Sequence, residues 1–281
     1  MILTGAPLYC EKEIVNRGIV IKNGIIQSFA DPNIQLCEQN HFVFPSNFKI
    51  IPGRIDLHLH GAGGADAMDG THKSLSKMAK QLVKEGTTSF LPTTMTTSNK
   101  EIERALESVG TYTSHPDEAE IIGIHLEGPF INERRAGAQP KHHIQAPSII
   151  QFSKWQKLAK GKIKVVTVAP EGENATPFIK FLANNNVIPS LGHSNATFSE
   201  FIEGYTSGAK QATHLFNGMR PFHHREPGIV GGCLSSEGIM VELIADGIHL
   251  HPETIQFVYQ VKGPGEHFTS HRFHYGKRLR Q

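Results

Sequence analysis

The chain has 281 residues, of which 38% are hydrophobic and 19% are charged, and its formal net charge is +2. This composition is typical of a globular protein with a sizeable buried core. No run approaches the roughly 18 apolar residues that a membrane helix needs, and no basic-then-apolar leader opens the chain. We therefore expect a cytoplasmic protein without a membrane partner.

The first 50 residues predict a small, partial β-sandwich module. Two β-rich runs, at 18–22 and 25–29, flank Asn23-Gly24. Asn-Gly in this position predicts a type I′ hairpin turn, because both central residues of that turn need positive φ.

From residue 54 onward, short apolar runs alternate with amphipathic helical patterns. Repeated strand-then-helix order favours a parallel sheet, and the length from 51 to 261 predicts an α/β fold of the (β/α)8-barrel type. We count seven strands, so the barrel is expected to lack strand eight. The predicted strands are 54–59, 87–92, 121–126, 163–168, 187–191, 210–214 and 239–244, and the predicted helices include 71–85, 99–109, 148–160, 174–185, 197–207 and 252–261.

The first barrel strand carries two histidines in the sequence Ile-Asp-Leu-His-Leu-His, residues 55–60. Side chains alternate faces along a strand, so His58 and His60 point the same way at its carboxyl end. Two imidazoles in this arrangement suit a divalent transition metal such as zinc or iron. Taken alone, the pair could equally lie on the surface without binding anything.

Three later strands end in further potential ligands. Glu127 ends an apolar run and is followed by Gly-Pro, and two more runs end at His193 and His214. One such histidine is more often a hydrogen-bonded core residue, and a lone carboxylate could cap a loop. Because the carboxyl ends of barrel strands meet on one face, the combined set predicts a metal site there.

The three cysteines do not indicate a second kind of site. Cys10, Cys37 and Cys233 are odd in number and lack C-x-x-C spacing. This pattern argues against a disulfide framework and against a thiolate zinc site, so we expect reduced thiols.

The motifs "IDLHLHGAGG", "GIHLEGPFI", "SLGHSNAT", "THLFNGMRPFHHREPGIVG" and "ELIADGIHLHPE" resemble the amidohydrolase superfamily, and within it the N-acetylglucosamine-6-phosphate deacetylase family. The resemblance runs from about residue 16 to about residue 262. It implies a homodimeric enzyme that hydrolyses the N-acetyl group of a small sugar phosphate. It also implies one or two divalent metal ions, held by His58, His60 and Glu127 on one side and by Glu127, His193 and His214 on the other.

The same resemblance implies a set of residues that contact the substrate. Arg225 would bind the phosphate of a substrate in the neighbouring subunit, which suits the planar guanidinium. Gln139 stands where many members of the family have His. The full implied set is Ala138, Gln139, Asn217, Gly218, Arg225 and His249.

The end of the chain departs from the family pattern. The family's eighth strand carries a proton-transferring aspartate, but no Asp follows Asp246 here, so the catalytic residue is unknown and impaired activity is expected. Residues 262–281 carry five Lys and Arg against one Glu. We interpret them as a basic, non-native or disordered tail of a truncated or frame-shifted product, without a nucleic-acid partner.

Two alternative functions stay open on the sequence alone. The chain could be a non-catalytic remnant that binds metal, which the missing strand eight favours. It could also be a different amidohydrolase that acts on a cyclic amide, although such enzymes usually bridge their metals with a carboxylated lysine.

Overall fold

The computed structural model describes residues 1–10, 13–31, 40–263 and 267–269 of the chain. These residues belong to two compact units, Met1–Gly53 and Arg54–Gln281.

The first unit is built from short β-strands. Its main sheet has the order β5-β4-β1-β6, and β2 pairs with β3 in a separate hairpin. The predicted hairpin turn is confirmed, because Asn23 and Gly24 join β4 to β5 with φ of 54° and 75°. The strands are β1 Ile2–Thr4, β2 Leu8–Cys10, β3 Glu13–Val15, β4 Gly18–Lys22, β5 Ile25–Ala30 and β6 His41–Val43.

The second unit is a partial (β/α) barrel of parallel strands. One sheet has the order β11-β10-β7 and the other β12-β13-β14-β15-β16-β17, and a single parallel bridge from Thr93 to His125 links them. The barrel strands are β7 Arg54–Leu59, β10 Thr87–Pro92, β11 Glu120–Ile121, β12 Ile124–Glu127, β13 Ile163–Val168, β14 Ile188–Leu191, β15 Gln211–Ala212, β16 Met240–Leu243 and β17 His267–Thr269, with β8 Gly61–Ala62 and β9 Ala65–Asp66 forming a small hairpin.

Several helices begin at residues whose side chains cap the first turn. Thr71, Ser98 and Ser148 each accept a hydrogen bond from the backbone three residues on, and Thr197 forms a capping box with Glu200. The helices are α1 His72–Lys84, α2 Asn99–Thr111, α3 Ile149–Leu158, α4 Ala175–Asn184, α5 Phe198–Thr206, α6 Gly228–Ser235 and α7 Pro252–Lys262, with 3₁₀ turns at Ala67–Asp69, Glu133–Arg135 and Lys141–His143. None of the helices in the described ranges is long and apolar enough to span a bilayer.

Three predicted strands have the predicted bounds: 54–59, 87–92 and 163–168. The prediction of one continuous strand over 121–126 was wrong. The structure divides it into β11 and β12, and Glu127 is the last residue of β12 and not a loop residue. Gly123 lies at the break, where an added Cβ would lie 2.4 Å from Lys164 Cγ. The close approach of the next strand explains the glycine.

Helix α6 was not predicted. It contains Gly228, Gly231 and Gly232, and glycine has a low helix propensity. A Cβ at Gly232 would lie 2.2 Å from the Phe201 ring on α5, so the glycine permits the two helices to pack closely. Tertiary packing therefore outweighs local propensity here.

The expectation that no strand follows residue 262 is wrong for three residues. The backbone of β17 pairs in parallel with β16, with His267 opposite Val241 and Thr269 opposite Leu243. A Phe and a Thr in this short run favour extended backbone. The rest of the predicted tail, 264–266 and 270–281, lies outside the described residues, as does Cys37. Cys10 and Cys233 are free thiols, as expected.

Candidate metal centre

Four histidines from three strand ends converge on one buried carboxylate, Glu127, at the end of a fourth strand. Glu127 Oε1 lies 3.4 Å from His58 Nε2, 3.2 Å from His193 Nε2 and 2.9 Å from His214 Nε2. Glu127 Oε2 lies 3.1 Å from His60 Nε2. All five residues are buried, with at most 2% exposed surface. The structure thus brings together the whole set of predicted metal ligands.

Each of the four histidines turns its other ring nitrogen, Nδ1, toward an oxygen that can only accept a hydrogen bond. A ring that keeps its single proton on Nδ1 would present the Nε2 lone pair to an ion on the Glu127 side. In chain order, the four acceptors are Glu242 Oε1 at 2.8 Å, Thr93 O at 3.2 Å, Arg135 O at 2.9 Å and Asn217 O at 2.9 Å.

The spacing of the Nε2 atoms provides a test of whether a metal fits. His58 Nε2 and His60 Nε2 are 3.2 Å apart, and His193 Nε2 and His214 Nε2 are 3.1 Å apart. With both protons on Nδ1, the two Nε2 lone pairs at this distance could not hydrogen-bond to each other. Two nitrogens bound tetrahedrally to one zinc ion at 2.0–2.1 Å would be about 3.3 Å apart. The donor set therefore fits an ion beside each pair, with Glu127 common to both groups.

The two pairs of histidines are held by different backbone conformations. His58 and His60, the strand pair, lie at the end of β7, with His58 inside the strand and His60 directly after it. His193 and His214, the turn pair, lie just beyond β14 and β15 and have positive φ, 46° and 32°. Non-glycine residues in this region cost of order 1–3 kcal/mol and persist only when their surroundings hold them.

Asn217 and Gly218 lie against the turn pair. The Asn217 carbonyl accepts from His214 Nδ1, and a Cβ at Gly218 would lie 2.9 Å from His193 Nδ1. Gly218 also has φ of +61°, which favours glycine. Two residues predicted to contact the sugar phosphate thus also shape the surroundings of His193 and His214.

Gln139 lies directly beside the carboxylate. Its Nε2 donates to Glu127 Oε2 at 2.7 Å, while its Oε1 accepts from the Thr96 backbone N–H at 2.6 Å. The second contact determines which end of the amide faces Glu127. Ala138 is exposed and lines a cavity of about 520 Å³ together with Met68, Met95 and Thr96.

Arg225 and His249 do not contact the five-residue cluster among the described interactions. Arg225 is exposed, in a loop that Glu226 Oε1 holds by accepting from the N–H groups of Phe198 and Gly228. His249 Nδ1 lies 2.8 Å from Asp246 Oδ2. Desolvation opposes ionisation of Asp246, but hydrogen bonds from the N–H groups of His249 and Ile248 and from the His249 ring hold its pKa well below the usual range.

Two buried polar residues beneath the cluster were missed by the sequence reasoning. Glu242 lies within β16 and His125 within β12, both with no exposed surface. A Glu inside the apolar run Met-Val-Glu-Leu was a usable signal, since an isolated buried charge is costly. His125 lies two residues before Glu127, on the same face of its strand.

These two residues also perturb one another and His58. Desolvation lowers the pKa of His58, but the carboxylates of Glu242 and Glu127 outweigh it and raise the pKa to about 10. Desolvation and the nearby His58 lower the pKa of His125 to about 3. Desolvation raises the pKa of Glu242, but His58 and the other histidines bring it down to about 2. The carboxylate of Glu242 is thus ionised beside His58.

Comparisons with known proteins agree with this geometry. Residues 50–263 match the amidohydrolase family. N-acetylglucosamine-6-phosphate deacetylase of Bacillus subtilis (strain 168) is 39% identical over 268 residues, which are 94% of this chain and 68% of that protein. The Lysinibacillus sphaericus enzyme of the same name is 46% identical over 215 residues, 76% of this chain and 56% of that protein.

A solved structure is similar over nearly the whole chain. The crystal structure of N-acetyl-D-glucosamine-6-phosphate deacetylase from Mycobacterium smegmatis superposes with a TM-score of 0.87 at 26% identity, covering 96% of this chain and 76% of that one. The chain spans between about half and three quarters of the length of these relatives.

Proposed function

Because this chain belongs to the amidohydrolase family, we propose that it holds one or two divalent metal ions and deacetylates N-acetylglucosamine 6-phosphate to glucosamine 6-phosphate and acetate. The observation that carries the proposal is the arrangement of four Nε2 atoms around Glu127, with each Nδ1 facing an acceptor oxygen 2.8–3.2 Å away. Histidine and carboxylate donors suit zinc or iron.

The five convergent residues would act as the ligands. His58, His60 and Glu127 would hold one ion, and Glu127, His193 and His214 the other. A divalent ion bound there supplies Lewis acidity toward an amide carbonyl and a lowered pKa for water. The protein's part is to bury the ligands and to fix their lone pairs before the ion arrives.

Gln139 would orient the acetamide. One of its amide hydrogens is bound by Glu127, and the other side of Nε2 faces Met95 Sδ at 3.6 Å, a weak acceptor. A substrate carbonyl oxygen is a better acceptor and would replace the sulfur. Ala138 and His249 would contact the sugar.

Arg225 would bind the phosphate. Its guanidinium is exposed, and among the described residues it has no ion pair that would give it a structural role. Guanidinium groups bind phosphate by two parallel hydrogen bonds. In a homodimer, which we include in the proposal, this loop would serve the site of the partner subunit, while Asn217 and Gly218 serve their own.

The proposal is tested by acetate release from metal-loaded protein. We expect acetate release from N-acetylglucosamine 6-phosphate that disappears in Glu127→Gln and after chelation. The control is Glu118→Gln, in which release should persist. Glu118 is a buried carboxylate away from the centre that accepts hydrogen bonds from Ser76, Tyr112 and His115. Metal-loaded protein that released acetate equally from unphosphorylated N-acetylglucosamine would contradict the phosphate specificity. Hydrolysis of a cyclic amide such as dihydroorotate, with no acetate from the sugar, would contradict the deacetylase assignment.

A further inference from the structure

His58 differs from the other three histidines in what holds its Nδ1. His60, His193 and His214 face neutral backbone carbonyls, at 3.2, 2.9 and 2.9 Å. His58 faces the carboxylate of Glu242 at 2.8 Å, and neither side chain has more than 1% of its surface exposed. A charged carboxylate attracts an imidazole N–H more strongly than a neutral carbonyl does.

Glu242 and His58 are set on two strands that do not pair with each other. β7 belongs to one sheet and β16 to the other, so the contact crosses the barrel interior. The layer around it is unusually polar for a barrel interior, where branched apolar residues dominate. It consists of His125, Thr167, Ser190, Thr213 and Glu242, each with 0% exposure.

This layer could be interpreted as a separate metal site, since His58, His125 and Glu242 lie close together. Two observations argue against that interpretation. The 2.8 Å between His58 Nδ1 and Glu242 Oε1 is a direct ion-pair contact, shorter than the about 3.3 Å between two ligands of one tetrahedral ion. His125 also uses both nitrogens, at 2.7 Å from Thr167 Oγ1 and 3.2 Å from Leu57 O.

We infer that Glu242 is a positioning residue for the strand-pair ion: it fixes the His58 ring with the proton on Nδ1, aims Nε2 at the ion and makes it a stronger donor than its neighbours. Carboxylates in this position raise the basicity of a metal-bound imidazole, and their loss typically costs 10–100-fold in metal affinity. His125 supports the arrangement, with its ring edge-to-face against His58 at 4.6 Å between centroids. The inference rests on the metal centre proposed above.

The test measures zinc affinity, not activity. The 281-residue chain is prepared as the parent and as the variants Glu242→Gln and Glu242→Leu. Each protein is titrated with Zn²⁺ against a chromophoric chelator. Gln keeps an acceptor for Nδ1–H but loses the charge, and we expect about 10-fold weaker binding of one ion. Leu removes both the acceptor and the charge, and we expect about 100-fold weaker binding of the strand-pair ion. The turn-pair ion should keep its parental affinity.

Two further measurements separate positioning from damage to the fold. In long-range ¹H–¹⁵N spectra of the zinc-loaded parent, the His58 proton should be on Nδ1, and in Glu242→Leu that signal should shift or broaden while those of His193 and His214 stay unchanged. Glu118→Gln, the matched control, should bind zinc like the parent.

Parental zinc affinity for both ions in Glu242→Leu would overturn the inference while leaving the proposed centre intact. Equal weakening of both ions, or equal weakening in Glu118→Gln, would also overturn it, since the effect would then be general. A parent that binds no zinc would overturn the proposed centre and this inference together.

Discussion

The strand pair and the turn pair meet the same carboxylate, but they are built in different ways. His58 and His60 stand two residues apart at the end of one strand, so the backbone of β7 places both rings on one face. His193 and His214 come from different strands and lie on turns with positive φ. The strand pair is therefore set locally, and the turn pair depends on the loops around it.

The loops around the turn pair are tied together by polar contacts. Glu171 accepts from Ser194 Oγ at 2.7 Å and from Asn195 N at 2.5 Å, directly after His193. Asn195 Oδ1 in turn accepts from Arg135 Nε, and the Arg135 carbonyl accepts from His193 Nδ1. This network offsets the local cost of the unfavourable φ. It also means that the turn pair can be weakened from several places without touching a ligand.

Replacing Glu127 should weaken metal binding at the strand pair and at the turn pair alike. Its two oxygens contact all four Nε2 atoms, so Glu127→Ala should lower the affinity for every bound ion by more than about 100-fold. This loss exceeds the 10–100-fold that is typical when a residue supporting a metal ligand is replaced. Metal analysis of the dialysed protein measures this. Retention of even one ion at parental affinity would show that a pair can bind metal without the carboxylate.

Replacing one histidine should break one side only. We expect His193→Ala or His214→Ala to lose the turn-pair ion and His58→Ala or His60→Ala to lose the strand-pair ion, since each ion would lose one of three protein ligands. Metal content per chain, measured by mass spectrometry of the purified variants, is the readout. If His193→Ala and His214→Ala keep the metal content of the parent, the ligand assignment is wrong.

Gly218→Ala should weaken the turn pair without changing a ligand. The new Cβ would lie 2.9 Å from His193 Nδ1 at a residue with φ of +61°. We expect about 1–3 kcal/mol of lost stability, from thermal unfolding, and weaker binding of the turn-pair ion. Gly238→Ala is the matched control, with φ of +68° and no atom within 4 Å of the new Cβ. Similar changes in metal binding for both variants would assign the effect to backbone strain alone.

Arg225→Ala should leave both pairs unchanged. The residue is exposed and outside the cluster, so metal content and thermal stability should equal those of the parent. For N-acetylglucosamine 6-phosphate we expect kcat/KM to fall about 10–100-fold, because a charged hydrogen bond contributes roughly 1.5–3 kcal/mol. For the unphosphorylated sugar little change is expected. Equal losses on both sugars would assign Arg225 a structural role.

The difference between the pairs also explains what the sequence could predict. The His-x-His spacing on a strand could be interpreted from periodicity alone, and the barrel order of strands and helices followed in the same way. That His193 and His214 lie close to Glu127 could be predicted only from the rule that the carboxyl ends of barrel strands share one face. Their positive φ and the carbonyls that hold them come from loops without periodic pattern.

Other features depended on tertiary contacts that no local pattern reports. Glu242 stood out as a charge inside an apolar run, but its partner could not be predicted, because only the fold places β16 across the barrel from His58. Helix α6 exists because its glycines allow close packing against Phe201, against their own propensity. Strand β17 forms by pairing with β16, in a segment whose glycines and proline predicted none.

The most direct test of a carboxylate-bridged centre is anomalous diffraction from crystals of the zinc-loaded protein at the zinc edge. We predict one peak about 2.0–2.1 Å from Nε2 of His58 and His60, a second at the same distance from Nε2 of His193 and His214, and Glu127 oxygens within about 2.2 Å of each. A protein that binds zinc elsewhere, for example between His58 Nδ1 and Glu242, with no peak beside Glu127, would contradict the account.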